Sequence, residues 1–363
     1  MKKRLLLSIL VLAAARLTAY EALLIGDLHY DNADLHPGKL SEVSRNELKR
    51  NLAAWESAIP TLLDNAGKAA RGRVDLTIQL GDFVQGDYDA EELHRRAQHD
   101  ILTMLREKLP APIYLVKGNH DIRGKGAVAA FNKDIIPYLE ETAKQPMAHP
   151  RAADYAIRKG RDLYLFCDSI VSSPELYDWM EKQIAAVPDL RHLFIVTHFP
   201  VIVCENGLTW CLLLGRLDVL DQRRKMLSLL TRHNAVVLCA HTHYMQQVDY
   251  TELETPGRIR QITLFSMPIP GDEKFYQLVL TPEQYWAQKG VQSDLRSHRR
   301  PITEPFIGHI SDMICTHPRA GFFFLQVPDD GSVKLECHFN GSPEASHEIT
   351  LVEAPEKVVP AEK

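Results

Sequence analysis

"LLIGDLHYDNAD", residues 23–34, begins as a run of strand-forming residues and then breaks into Gly26-Asp27-Leu28-His29. If the strand continued, Asp27 and His29 would project to the same side, because side chains along a strand alternate with period two. Three readings are open at this point: a turn after a strand, half of a metal site, or an acid–base pair. One D-x-H triplet does not choose between them. The ends of the other strands do.

On either side of this stretch, short apolar runs alternate with long amphipathic ones. "ALLIG", "VDLTIQL", "APIYLV", "RDLYLFC", "RHLFIVT" and "NAVVLC" read as strands. Helices are expected over residues 41–66, from about Asp89 to Lys108, over "SPELYDWMEKQIAAV" and over "LDVLDQRRKMLSLLTRH". In the first of these, Ser44 and Glu47 have the spacing of a capping box and Pro60 marks a kink. In the third, Ser173 is the cap and Pro174 occupies the first helical position. Such alternation predicts an α/β architecture. After residue 244 the runs "QQVDYTELE", "GRIRQITLFSM" and "FYQLVL" read as antiparallel strands. Residues 281–320 read as an irregular, polar insertion. "AGFFFLQVPDDGSVKLECHF" reads as a hairpin turning at Asp330-Gly331.

The strand ends share a chemistry. The first strand ends in Asp27 and His29, and the second in Gly81-Asp82. The third ends in Gly118-Asn119-His120-Asp121. Two later strands end at His198 and at His241 with His243. In open α/β sheets the carboxyl edge of the strands is where ligands bind. Five separate strands running into Asp, Asn or His at that edge are not explained by turn formation. Mixed nitrogen and oxygen ligands with a carboxylate between them suit Mn, Fe or Zn.

The order D-x-H, G-D, G-N-H-D, H, (G/A)-H-x-H resembles that of the calcineurin-like metallophosphoesterases over about residues 22 to 245. The resemblance implies a four-layer αββα sandwich of two mixed sheets, with a dimetal site at the strand carboxyl ends. It implies one metal held by Asp27, His29 and His243, a second held by Asn119, His198 and His241, and Asp82 bridging both. It implies two divalent or trivalent ions (Mn, Fe or Zn). His120 is the candidate general acid, and Asp121 beside it reads either as a second catalytic residue or as a helix cap. Two departures stand out. Ala240 occupies a position that is usually Gly, and its methyl group requires a negative φ. Gln85 stands where protein phosphatases of the family carry the acid that orients the catalytic His, and where purple acid phosphatases place an iron-binding Tyr.

Composition bounds the function further. The chain has 363 residues, 45% hydrophobic and 25% charged, with a net charge of −5. No basic stripe of the kind nucleic acid needs is visible. Lys2, Lys3 and Arg4, the apolar run Leu5–Ala15 and the small Ala19 form a candidate export signal. Arg16 ends that run short of the ~20 residues a membrane span requires. Removing residues 1–19 would lower the net charge by four more units, which disfavours polyanionic partners. Cys167 and Cys239 lie in apolar strands and read as buried thiols. Cys204, Cys211, Cys315 and Cys337 leave up to two disulfides, with the pairing open. In an oxidising compartment, a Cys204–Cys211 bridge would staple "CENGLTWCLLLGRLD" (204–218) beside His198, with Trp210 walling the substrate pocket.

The expected organisation is a signal peptide at 1–19, a metallophosphoesterase domain at 20–280 and an insertion at 281–320. A C-terminal β-hairpin at 321–353 would complete the sandwich, followed by a tail at 354–363. The expected function is an exported, periplasmic or secreted, dimetal phosphoesterase. It would hydrolyse a phosphate mono- or diester of a small molecule by in-line attack of a metal-bridging hydroxide. No nucleic-acid partner and no stable membrane span in the mature chain are expected. The alternatives are a nuclease and a non-catalytic scaffold of the same fold. The substrate, the metal pair and the oligomeric state are open.

Overall fold

Three parallel strands set the frame of the first sheet: β1 (Tyr20–Ile25), β2 (Leu76–Gln79) and β3 (Ile113–Leu115). All are short and rich in Leu and Ile, as strands buried on both faces require. Their register pairs Ile25 with Gln79 and Gln79 with Leu115, so the three chains leave the sheet side by side. The structure is a computed structural model and describes residues 19–38, 40–202, 211–213, 220–243, 245–266, 276–280, 309–317 and 320–355. The signal-peptide region, Cys204, Trp210 and most of the 281–320 stretch lie outside the described residues.

The second sheet has its own parallel centre. It contains β4 (Tyr155–Lys159), β5 (Asp162–Cys167), β6 (Leu193–Thr197), β7 (Val236–Cys239), β8 (Met245–Tyr250), β9 (Ile259–Thr263), β10 (Tyr276–Leu280) and β11 (Ile310–His317). Strands β5, β6, β7 and β9 are parallel neighbours, flanked by antiparallel β4 on one side and β8 on the other. The first sheet is extended by antiparallel β12 (Gly321–Val327), β13 (Val333–Phe339) and β14 (His347–Val352). The orders are β14-β13-β12-β1-β2-β3 and β10-β11-β8-β9-β7-β6-β5-β4. Both sheets are therefore mixed.

Side-chain alternation explains the layering. On β6, Phe194 and Val196 join the core shared with the first sheet, while Leu193 and Ile195 join a second core under helices. That second core includes Leu176, Met180 and Ile184 of one helix (Leu176–Ala185) and Met226, Leu227 and Leu230 of another (Leu220–Arg232). The first sheet packs against a helix carrying Ile59, Leu63 and Ala66 and one carrying Ala97, Ile101 and Leu105. The result is a helix–sheet–sheet–helix sandwich, as expected. Between the sheets, the Tyr20 and Tyr164 hydroxyls meet at 2.8 Å, and the Tyr155 hydroxyl donates to the Leu115 carbonyl at 2.8 Å. Among the described residues no helix is long and apolar enough to cross a membrane.

Several local expectations are corrected. The 41–66 helix is two helices, α1 (Glu42–Glu56) and α2 (Ala58–Ala70). Ser41 is the N-cap of α1, its hydroxyl accepting from the Ser44 amide at 3.1 Å, so Ser44 and Glu47 do not form a capping box. The break falls at Ser57, and Pro60 sits in the first turn of α2, where its missing N–H has no helical acceptor to lose. Ile310–His317, read as irregular, pairs with β8 and β10, and β9 pairs parallel with β7 as well as antiparallel with β8. The hairpin turns at Asp330-Gly331 as predicted, but a third strand, β14, adds to it. β9 lies between β8 and β7 and is buried on nearly every residue, so it lacks the period-two alternation of a half-buried strand.

Candidate metal centre

Register alone places the motif residues. Asp27 follows β1, Asp82 follows β2, Asn119 and His120 follow β3, His198 follows β6, and His241 and His243 follow β7. Their ligand atoms gather in overlapping groups. Asp27, His29 and His243 lie within 4.8 Å of one another, as do Asp82, His198 and His241, and also His29, Asp82 and His120. Asp82 belongs to two of the three groups. Its Oδ2 is 3.2 Å from His198 Nε2 and 3.8 Å from His29 Nε2. Asn119 joins through its Oδ1, 3.2 Å from His198 Nε2. All seven residues singled out as metal ligands thus meet in one place.

The chain bends sharply to bring them there. His29 (φ 44°), Asp82 (φ 51°), His241 (φ 75°) and His243 (φ 57°) all occupy the left-handed region, which side chains other than glycine enter at a cost of about 1–3 kcal/mol each. Ala240 is not among the positive-φ residues, so its methyl group fits without strain. Gly118 is required by close approach: a Cβ there would lie 2.1 Å from the Asp82 amide nitrogen.

The electrostatics fit a cation site. Burial pushes His241 down to about 3 and His243 down to about 4, so both present neutral rings at pH 7. His241 Nε2 is buried without a hydrogen-bond partner. His29 Nε2 and His243 Nε2 face each other at 3.3 Å. Two imidazole lone pairs at that separation repel unless a proton or a cation lies near both. Burial raises Asp27 to about 7, with Asp82 adding to the rise and His198 opposing it. His198 rises to about 9 because Asp82 and Asp27 outweigh its burial. Asp27 held up and His241 and His243 held down are the mark of buried groups short of positive charge, and divalent cations supply it. The residues present therefore fit two metal ions.

A model of the calcineurin-like phosphoesterase family matches residues 21–245. The chain belongs to this family. No curated protein sequence matches this chain. Among solved structures it is similar to a purple acid phosphatase from yellow lupin (Lupinus luteus) seeds, with a TM-score of 0.53 and 13% identity. That match covers 92% of this chain and 53% of the lupin chain, so the chain spans about half the length of that relative. A predicted phosphoesterase from Streptococcus pneumoniae also matches, with a TM-score of 0.32 and 11% identity over 92% of this chain and 98% of that one. So does Vps29 from Entamoeba histolytica, in its Zn²⁺ complex, with a TM-score of 0.31 and 11% identity over 91% and 99%.

Around these seven residues lies a further shell of polar side chains. Asp121, open between a catalytic role and a helix cap, has a buried carboxylate that accepts backbone N–H groups from Asp82 (3.1 Å), Val84 (3.2 Å) and Gly118 (2.7 Å), which makes it a brace for the Asp82 turn. Its pKa is pushed up to about 8 by burial and by Asp82. His120 donates from Nδ1 to the Gln85 carbonyl at 2.7 Å, so a backbone oxygen performs the orientation that an acid performs elsewhere in the family. Arg123 Nη1 stands 3.4 Å from both His120 ring nitrogens, and the guanidinium is paired with Glu47 and Asp87. Arg50 adds positive potential at His29 and His243. The signal for Arg123 was its place two residues after Asp121. For Glu47 and Arg50, on a distant helix, there was none.

Cys337 is a buried free thiol, as are Cys167 and Cys239. Cys204 lies outside the described residues, and with it the expected Cys204–Cys211 bridge and the Trp210 wall. Leu212 and Leu213 of that stretch are core residues of the second cluster.

Proposed function

We propose that the protein is a metal-dependent phosphoric ester hydrolase acting on a phosphate mono- or diester of a small molecule. The observation that carries this reading is the place of Asp82, whose Oδ2 is 3.8 Å from His29 Nε2 in the group with Asp27 and His243 and 3.2 Å from His198 Nε2 in the group with His241. One ion would be held by Asp27, His29 and His243, the other by Asn119, His198 and His241, with Asp82 common to both. When bound, two such ions supply Lewis acidity and a water molecule activated at neutral pH.

The chain's own residues do the rest. Asp82 is held by the His120 amide, which donates to its Oδ1 at 2.7 Å, and by the Asp121 brace on its own amide. His198 donates from Nδ1 to the Leu80 carbonyl at 2.8 Å, which leaves Nε2 as the ligand atom. His120, with its Nδ1 proton committed to Gln85, has Nε2 as the atom that can hold a proton for a leaving oxygen. Arg123, held against that ring by two carboxylates, favours an anionic group nearby. The net charge of −5 supports a small ester over a polyanion. Residues 1–19 are proposed to direct export, which N-terminal sequencing of protein recovered from the expressing cell's exterior would check.

The test is hydrolysis of p-nitrophenyl phosphate and its bis ester by the purified chain with Mn²⁺. Turnover on one of them, abolished by a chelator and restored by metal, is expected. No turnover on either ester with any divalent metal would overturn the proposal.

A further inference from the structure

We infer that Glu47 and Gln85 are positioning residues that fix which ring nitrogen of His29 carries the proton, and so make Nε2 a ligand atom. The inference rests on the reading of His29 as a metal ligand and is independent of which ester is hydrolysed.

The hydrogen-bond relay runs inward from α1. Glu47 is a carboxylate, and its Oε2 accepts from Gln85 Nε2 at 2.9 Å and from Arg123 Nη2 at 3.1 Å. An ionised carboxylate only accepts hydrogen bonds, so the Gln85 side chain must turn its NH₂ group toward it. The amide then has one orientation, with Oε1 aimed at His29. That oxygen lies 2.9 Å from His29 Nδ1. A carbonyl oxygen also only accepts, so the proton of a neutral His29 must sit on Nδ1. Its Nε2 is left with a lone pair, facing His243 Nε2 at 3.3 Å and Asp82 Oδ2 at 3.8 Å.

His198 has its tautomer set by a backbone carbonyl and needs no such relay. Among the described residues the His29 ring has no backbone partner, and its orientation depends on two side chains in series. The same carboxylate holds Arg123 against His120. Glu47 therefore ties the ring of a metal ligand and the cation beside the candidate proton donor to one point on a helix. Removing such an outer partner of a ligating histidine typically weakens metal binding ~10–100-fold.

The test is calorimetric titration of the metal-free full-length chain with Mn²⁺, with far-UV circular dichroism on each variant. Gln85→Leu should weaken one of the two Mn²⁺ sites ~10–100-fold while the fold is retained. The exchange Glu47→Gln with Gln85→Glu places the carboxylate next to His29 and the amide behind it. It should recover most of the lost affinity, which a merely structural role would not. Should Gln85→Leu fail to fold, Glu47→Leu on the partly exposed face of α1 should weaken the same site. Wild-type affinity in a folded Gln85→Leu or Glu47→Leu variant overturns the inference, as does a loss that the exchange leaves unrepaired. Titration is blind to turnover. A wild type that binds two Mn²⁺ and cleaves no ester would overturn the proposed function and leave this inference standing.

Discussion

At the scale of single residues, the site is built from side chains whose partners leave one functional atom each. His198 gives its Nδ1 proton to Leu80, His29 gives its own to Gln85, and His120 gives its own to the Gln85 carbonyl. In each case Nε2 is what remains. On the proposed reading, His120→Ala should slow esters of poor leaving groups ~10²–10⁴-fold and p-nitrophenyl esters far less, because only the former need a proton on the departing oxygen. Steady-state kinetics on an alkyl and a p-nitrophenyl ester check this. Equal losses on both would make His120 a support for Asp82, whose carboxylate accepts its amide. The sequence made these histidines visible. It left Gln85 as a mere departure from an expected pattern, because hydrogen-bond direction depends on what lies across the space from a side chain.

Among elements, strand register is what matters. Ile25, Gln79 and Leu115 are level in one sheet, and Cys167, Thr197 and Cys239 end neighbouring strands of the other. The two sheets are joined at these ends by a buried ion pair, Lys117 just after β3 with Asp168 just after β5. Asp168 also accepts from the backbone amides of Ala153, Ile170 and Val171, each at 2.9 Å. Asp168→Leu should therefore cost more than Lys117→Met. The first strands three amides and a buried ammonium; the second leaves a carboxylate that is still hydrogen-bonded. Breaking a buried pair from one side costs about 3–5 kcal/mol, and Asp168→Leu should lie at or above the top of that range. Urea denaturation of the two variants measures the difference, and equal losses would contradict this ranking. The α1 boundary shows the opposite case: Ser41 and Ser44 both suit a helix start, and only the backbone path into the helix chose Ser41.

Over the whole molecule, Arg73 holds distant parts of the first sheet together. Its guanidinium pairs with Glu21 of β1 and Glu336 of β13 and lies 3.9 Å from the centre of the Phe324 ring. The hydrogen bonds from Arg73 are the largest influence on Glu336 and hold its pKa below the ordinary value of 4.5. The unfolded chain therefore binds a proton at this site at a higher pH than the folded one does. The stabilisation is complete above the unfolded value and is lost as pH falls through the lower, folded one. Arg73→Met should weaken the protein at neutral pH and flatten the fall of stability below about pH 4.5, the unfolded value. Chemical denaturation at pH 7 and pH 4 checks this. An unchanged slope with pH would remove Glu336 from the acid response.

The sequence by itself determined the α/β class, the residues that gather in the candidate metal centre and the family, because those reside in local periodicity and in short motifs at strand ends. Asp27, His29, Asp82, Asn119, His198, His241 and His243 were all legible in this way. Tertiary structure alone decided that Asp121 is a brace, that Glu47 reaches Gln85 from α1, and that Lys117 and Asp168 fasten one sheet to the other. It also decided that Ile310–His317 is a strand, which its own residues do not announce. The physical reason is the same throughout. A motif is a statement about neighbours along the chain. A hydrogen bond or an ion pair between residues 38 or 51 positions apart is a statement about packing, which the chain acquires only when both sheets have formed.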